Sequence, residues 1–419
     1  MKSTKQLINR FVLVLLIFCC VGLYTAYADD GAQNQAQQNL SLVSAANENP
    51  APATPPSLVP PSPSIDAKGY VLMDADSGAV LAQQNMNDRL PPASLTKLMT
   101  LYVAFQALRS GQIHLNDTTH ISTKAWQMGG SRMFIKENTD VPVELLIQGI
   151  IVASGNDACV ATAQYIGGTE ETFTEMMNQA AQRLGMKNSH YTDSTGLPDA
   201  QHYSSAYDLA ILTRSLINGF PEYYHYFSQK WLTYNGIKQP NRNRLLWRDP
   251  SVDGLKTGHT DEAGFCLVAS AKRNGMRLIA VVMGAPSDSA RANDSEALLN
   301  YGFRFYQTHQ LFPANKAITQ QRIWMGVEKY VGFGLAQPLF VTIPTGAYKN
   351  LQATMSLDHH LKAPIVEGSP YGQIDVTLNG QTVATAPLVA LQNDSRGGAW
   401  KRMMDHMAMF FKGIFSKSS

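Results

Sequence analysis

The sequence predicts an α+β fold, an antiparallel sheet plus a helical cluster, followed by a small all-β domain and a C-terminal amphipathic helix. Three observations predict it. Strand-like apolar runs stand at both ends of the first large segment with helical patterns between them, which one sheet assembled from distant stretches explains. From about Ala317 the pattern changes to short apolar runs separated by turn residues. At the C-terminus, apolar side chains recur at helical spacing opposite cationic ones.

In chain order, Lys2, Lys5 and Arg10 precede an apolar stretch from Phe11 to Leu23, and Ala26-Tyr27-Ala28 offers a small-x-small cleavage site. Residues 1–28 therefore read as a secretory signal peptide cut after Ala28. The apolar run is shorter than the roughly 20 residues that a spanning helix needs. Residues 29–65 are rich in Gln, Asn, Ala, Ser and Pro and carry no apolar periodicity, so a disordered or extended spacer is expected.

A first domain is expected over residues 66–314. It opens with a hairpin, 70–73 and 79–81, turning at Asp76-Ser77-Gly78. An apolar helix follows Pro91-Pro92, and helices are expected over 143–152, 157–166, 171–184 (closed by Gly185) and 205–217. A second hairpin turns at Asn235-Gly236. A strand opened by Lys256-Thr257-Gly258, two apolar strands over 265–271 and 278–283, and a helix over 289–305 complete the domain. Residues 315–395 read as the all-β domain, with strand-like runs at 322–324, 339–343, 351–355, 372–378 and 382–391. Its His359-His360 pair reads as a solvated loop rather than a metal site.

Residues 396–419 form the terminal helix. Trp400, Met403, Met404, Met407, Phe411, Ile414 and Phe415 share one face; Lys401, Arg402, Asp405, Lys412, Ser416 and Lys417 lie opposite, with Met409 the exception. A Gly397-Gly398 hinge, a terminal position and a basic polar face point to a helix lying in a membrane interface beside anionic headgroups.

At 419 residues the chain has room for more than one domain, and 34 Lys+Arg against 32 Asp+Glu leave no basic field for nucleic acid. Of its four cysteines, Cys19 and Cys20 fall in the leader. Cys159 and Cys266 are expected to pack as small core residues, the sequence leaving their pairing open.

Chemistry concentrates in three short motifs. Ser94 and Lys97 are spaced i, i+3, so on a helix they meet. The residues after them are apolar on nearly every side, so Lys97 is expected to be buried, and burial favours the neutral amine that a serine nucleophile needs as its base. Alone, the pair is a weak signal and reads more readily as an N-capping serine and a snorkelling lysine. Ser154-Gly155-Asn156 breaks an apolar helix with a hydroxyl and an amide on a turn, and Lys256-Thr257-Gly258 opens a strand with a cation, a hydroxyl and a glycine that admits substrate backbone.

In the order S-x-x-K, S-x-N, K-T-G, these motifs resemble those of penicillin-binding proteins and class A β-lactamases. From about Tyr70 to Phe415 the chain resembles the penicillin-binding protein 5/6 group of D-alanyl-D-alanine carboxypeptidases, notably in Ser154-Gly155-Asn156-Asp157-Ala158-Cys159-Val160, Asn241-Arg242-Asn243 and the stretch from Val252 to Thr260. The resemblance implies a β-lactamase/penicillin-binding transpeptidase-like catalytic fold on a β-sandwich stalk. It implies a serine peptidase without cofactor or metal, exported to the periplasmic face of the inner membrane, that removes the terminal D-Ala of peptidoglycan stem pentapeptides and is acylated by β-lactams.

By that resemblance Ser94 is the nucleophile, Lys97 its base, Ser154 the proton relay and Asn156 the residue that orients Lys97 and holds the substrate amide. Lys256, Thr257, Gly258, His259 and Arg242 bind substrate, with the oxyanion hole formed by the backbone N–H groups of Ser94 and His259. The like charge of Lys256 is expected to lower the pKa of Lys97. A class A-like β-lactamase remains the alternative, but it requires a glutamate on a loop between the second and third motifs; Glu171, Glu175 and Glu222 fall in that interval, none in a matching loop. A DD-endopeptidase and a non-catalytic peptidoglycan-binding protein also stay open.

Overall fold

The computed structural model describes residues 59–358 and 360–415, with side chains to residue 409. The signal peptide, most of the expected spacer and His359 lie outside the described residues.

Strands β1 (Gly69–Asp74) and β2 (Val80–Gln84) form the expected hairpin. A 3-10 turn, Ala93–Thr96, then leads into helix α1 (Lys97–Arg109). A short pair, β3 (Thr118–His120) and β4 (Asp140–Pro142), brackets α2 (Thr123–Trp126). Next come α3 (Val143–Gln148), α4 (Asn156–Gly167), α5 (Glu170–Leu184), α6 (Ala206–Gly219) and the single turn α7 (Pro221–Tyr224). Thr169 and Ser205 cap α5 and α6 by accepting the N–H of the third residue on. The hairpin β5 (Trp231–Tyr234) and β6 (Ile237–Pro240) turns at Asn235-Gly236, both at positive φ as the tight turn requires. After α8 (Leu245–Arg248) come β7 (Val252–Thr260), β8 (Gly264–Arg273), β9 (Met276–Ala285) and α9 (Asp288–Phe305).

These strands make one antiparallel sheet in the order β2-β1-β9-β8-β7. Its three inner strands, β1, β9 and β8, carry near-continuous apolar runs because both of their faces are buried. In β1, Val71 and Met73 join a core with α1, α4, α5 and α6, while Tyr70 and Leu72 turn to a second core with Leu298 and Leu299 of α9. Ile65 is buried in that second core and Tyr301 donates to the Pro60 carbonyl, so the end of the expected spacer is ordered against the domain.

The helix expected over 143–152 is not uniform. After α3 the chain widens into a π turn, Gly149–Ala153, that ends with Ser154 in the left-handed region at φ 56°. A Cβ on Gly149 would stand 2.3 Å from Met133 Sδ, so only glycine lets this turn pack so closely.

The expected boundary at 314/315 falls too late. β10 (Tyr306–Phe312) follows α9 directly and pairs with β13 (Leu339–Pro344) rather than with the catalytic sheet. β11 (Thr319–Arg322), β12 (Tyr330–Gly334), β14 (Leu351–Leu357), β15 (Pro370–Leu378) and β16 (Gln381–Ala390) form a second sheet in the order β11-β12-β16-β15-β14. Ile323, Phe333, Val341, Ile374 and Leu388 fill the core that the two sheets share. β12 escaped the sequence reading because its two glycines mask the alternation that Val331 and Phe333 carry inward.

Helix α10 (Ala399–Phe415) is anchored differently from expectation. Asp405, assigned to the solvated polar face, is buried and accepts from Arg322 Nη2 at 3.0 Å and the Met325 N–H at 2.7 Å. Met325 sits in a positive-φ turn, where its N–H has no ladder partner of its own. Gly397 donates to the Met325 carbonyl and Lys401 to that of Val327, so the Gly397-Gly398 step does not leave the helix swinging free. Trp400, Met403, Met404 and Met407 face outward, with Trp400 73% exposed. Phe411, Ile414 and Phe415 continue the helical backbone. Among the described residues no helix is long and apolar enough to cross a membrane.

Candidate active site

The nucleophile turn is held from both sides. Ala93 takes φ 48°, which swings Ser94 to the domain surface before α1 drives Lys97 inward. Ser94 and Lys97 thus lie at the junction of a 3-10 turn and an α-helix, not within one helix. Gly196, at φ 87°, packs against this turn so tightly that a Cβ there would stand 1.8 Å from the Ala93 carbonyl oxygen. The Cβ position of Gly258 meets the Pro92 carbonyl oxygen at 2.9 Å. That glycine therefore admits the nucleophile turn.

Lys97 is fully buried, and its Nζ stands 2.9 Å from Ser94 Oγ, 2.8 Å from Asn156 Oδ1 and 2.6 Å from the Thr195 carbonyl oxygen. Lys256, buried as well, donates to Ser154 Oγ at 2.9 Å and to the Thr257 carbonyl at 2.8 Å. The structure thus brings Ser94, Lys97, Ser154, Asn156, Lys256 and Thr257 to one place. Arg242 reaches the same rim, its Nη1 donating to Ser131 Oγ at 2.8 Å. The Ser131 carbonyl accepts from the Asn156 N–H. The His259 side chain is exposed and stacks on Phe265, at 4.0 Å between ring centroids, apart from the lysine cluster.

Burial pushes both lysines below the ordinary 10.5, because each ammonium has lost its water. Like charge adds to this, since the two lysines repel each other and Arg242 repels both. Cys159 lies in the same buried environment, which drives its thiol up to about 12 and leaves it inert at neutral pH. Neither Cys159 nor Cys266 is bonded.

Several positioning groups went unread in the sequence. Asp193 folds its loop by accepting the N–H groups of Thr195 and Gly196, aiming the Thr195 carbonyl at Lys97. Glu170 holds Ser194 next door, through Ser194 Oγ at 2.7 Å, and Thr100 Oγ1 donates to the Ser194 carbonyl. Asp157 accepts from the N–H groups of Met133, Phe134 and Ile135, fixing the loop that carries Ser131. Arg291 of α9 donates to the Gly258 carbonyl at 2.9 Å and braces the end of β7. The Asp-Ser-Thr-Gly run at 193–196 is a recognisable Asx-turn signal. The contacts of Glu170 and Arg291 leave no local signature, since their partners lie far off in the chain.

None of the glutamates weighed for β-lactam hydrolysis enters this cluster. Glu171 pairs with Lys124 and Glu222 with Arg109, and Glu175 is exposed.

Comparison with known proteins agrees with this arrangement. A family profile described as D-alanyl-D-alanine carboxypeptidase matches residues 56–287, and one for the C-terminal domain of penicillin-binding protein 5 matches residues 306–396. The D-alanyl-D-alanine carboxypeptidase DacC of Escherichia coli (strain K12) is 43% identical over 362 residues, 84% of this chain and 90% of that protein. Penicillin-binding protein 5 of Haemophilus influenzae has a crystal structure with TM-score 0.76 and 44% identity, covering 81% of this chain and 100% of that one. Penicillin-binding protein D2 of Listeria monocytogenes, solved in its ampicillin-bound form, matches at TM-score 0.54 and 29% identity over 58% of this chain and 100% of that one. With a serine, two buried lysines and an asparagine in one cluster and both profiles matching in order, the chain belongs to the D-alanyl-D-alanine carboxypeptidase family, serine peptidases with the penicillin-binding fold.

Proposed function

We propose that Ser94 removes the terminal D-Ala of peptidoglycan stem pentapeptides through an acyl-enzyme, with Lys97 as the neutral base. The observation that carries this is the set of three oxygens around Lys97 Nζ. A neutral amine has two N–H groups and one lone pair. The Asn156 and Thr195 oxygens only accept, so they take the two N–H groups and the lone pair is left for the Ser94 hydroxyl. Ser94 Oγ then attacks the penultimate carbonyl while its proton passes to Lys97. Ser154, hydrogen-bonded to Lys256, returns a proton to the leaving amine of D-Ala. Water hydrolyses the ester with Lys97 again as base.

The substrate carboxylate falls to Thr257, Lys256 and Arg242. Its negative charge favours the protonated form of Lys256 and so leaves Lys97 as the neutral member of the pair. Asn156 and the β7 backbone from Gly258 to His259 align the peptide, and the N–H groups of Ser94 and His259 form the oxyanion hole. β-Lactams acylate Ser94 by the same attack.

The leader-like segment at 1–28 and the outward apolar face of α10 support export, in the sense of a periplasmic enzyme held on the inner membrane by Trp400, Met403, Met404, Met407, Phe411, Ile414 and Phe415. No cofactor enters the reaction.

The test uses soluble protein without leader or α10, incubated with diacetyl-Lys-D-Ala-D-Ala. Free D-alanine is expected from the wild type and none from Ser94→Ala. A folded wild type that takes up penicillin at Ser94 yet releases no D-alanine would sink the carboxypeptidase assignment.

A further inference from the structure

Away from the catalytic cleft, a cavity of about 660 Å³ lies between α10 and the β domain. The helix contributes Arg402, Met403 and His406 to its wall, and the domain contributes Met325, Lys362 and Arg396. No carboxylate lines it. The nearest acid on the helix, Asp405, is not part of that wall; it is buried and taken by Arg322 and the Met325 N–H. Asp394, two residues before Arg396, is buried and accepts from the Val327 and Glu328 N–H groups. Lys362, Arg396 and Arg402 are exposed cations around one concavity with no counter-charge in its wall, so they repel one another and an anion there relieves all three.

What adjoins the cavity selects the anion. Met403 lines it and is 44% exposed, and Trp400, Met404 and Met407 extend the same outward apolar strip along α10. A free inorganic anion would satisfy the charges and leave that strip in water, whereas an amphiphile with an anionic head satisfies both. We propose that this cavity binds the headgroup phosphate of an anionic phospholipid, with the acyl region on the Met403 side. The proposal rests on reading α10 as an interfacial helix and adds to it that the β domain supplies half of the site through Lys362 and Arg396. The site then exists only while Asp405 holds the helix in place, so one lipid contact fixes how the β domain stands on the bilayer.

Co-sedimentation of the full chain without its leader, on phosphatidylglycerol and on phosphatidylcholine vesicles, tests this with the double variant Lys362→Ala/Arg396→Ala. Neither side chain touches the catalytic machinery, so D-alanine release should be unchanged, which also reports correct folding. At about fivefold per interfacial cation, the variant should bind phosphatidylglycerol vesicles roughly 30-fold more weakly and phosphatidylcholine vesicles as the wild type does. Wild-type affinity for phosphatidylglycerol in the variant would overturn the cavity while leaving the interfacial helix standing. A wild type that binds neither vesicle would overturn both. Saturable calorimetric binding of inorganic phosphate without vesicles, lost in the variant, would make the occupant a free anion and overturn the lipid assignment.

Discussion

The proposed acid–base chemistry turns on three basic side chains, Lys97, Lys256 and Arg242, that act on one another electrostatically. In the proposed mechanism Lys97 works only as the free amine, so kcat/KM should rise with pH through its pKa, which burial places below the ordinary 10.5. Arg242 contributes to that lowering by repulsion. Arg242→Gln should therefore raise the Lys97 pKa and move the acidic limb of the kcat/KM profile to higher pH. The same variant should increase KM about tenfold or more for loss of a charged partner of the carboxylate. An unmoved limb with a raised KM would limit Arg242 to binding. Lys97→Met should lower the rate of penicillin acylation by about 10²–10⁴-fold, the usual worth of a positioned base, measured by stopped-flow adduct formation.

At the scale of elements, the site is a set of close backbone approaches rather than a set of side chains alone. Gly196 carries both a positive φ and a blocked Cβ position against the Ala93 carbonyl. Gly196→Ala should cost about 3 kcal/mol in thermal denaturation and lower acylation at Ser94, since the strain is relieved only by moving the nucleophile turn. Asp157 is the counterpart in the first turn of α4, accepting three N–H groups of one loop and the N–H of its neighbour Ala158. Asp157→Ala should destabilise by about 2–3 kcal/mol and release Ser131, seen as a raised KM with penicillin reactivity still measurable.

For the whole molecule, the β domain joins the catalytic domain through a polar cluster. Thr308 Oγ1 donates to Asp74 Oδ2 at 2.6 Å, and Thr342 Oγ1 stands 2.6 Å from Ser77 Oγ. At its other end the domain holds α10 through Asp405. Deleting residues 400–419 should move the protein from the membrane to the soluble fraction with D-alanine release intact; persistence in membranes would refute interfacial anchoring by α10. Asp405→Ala should weaken binding to phosphatidylglycerol vesicles, leave the apolar face of α10 free to enter the interface, and loosen the helix, read as faster amide exchange at Met325 and along α10.

The catalytic motifs, the hairpin at Asp76-Ser77-Gly78, the capped helices and the apolar sheet strands were legible in the sequence because each is written by neighbours in the chain: a turn residue, a cap, a spacing of three. Hydrophobic periodicity likewise marked the change to an all-β domain and the amphipathic tail. Tertiary structure alone decided what depends on distant partners. It set the break from α to π geometry at Gly149, where Met133 leaves no room for a side chain. It gave β10 to the second domain, because pairing with β13 carries no trace in the strand's own residues. It turned Asp405 inward, since a lone positive-φ N–H at Met325 outweighed the helical pattern that placed that carboxylate in water. And it gave Lys97 its third partner, the Thr195 carbonyl, a backbone atom whose position no residue type announces.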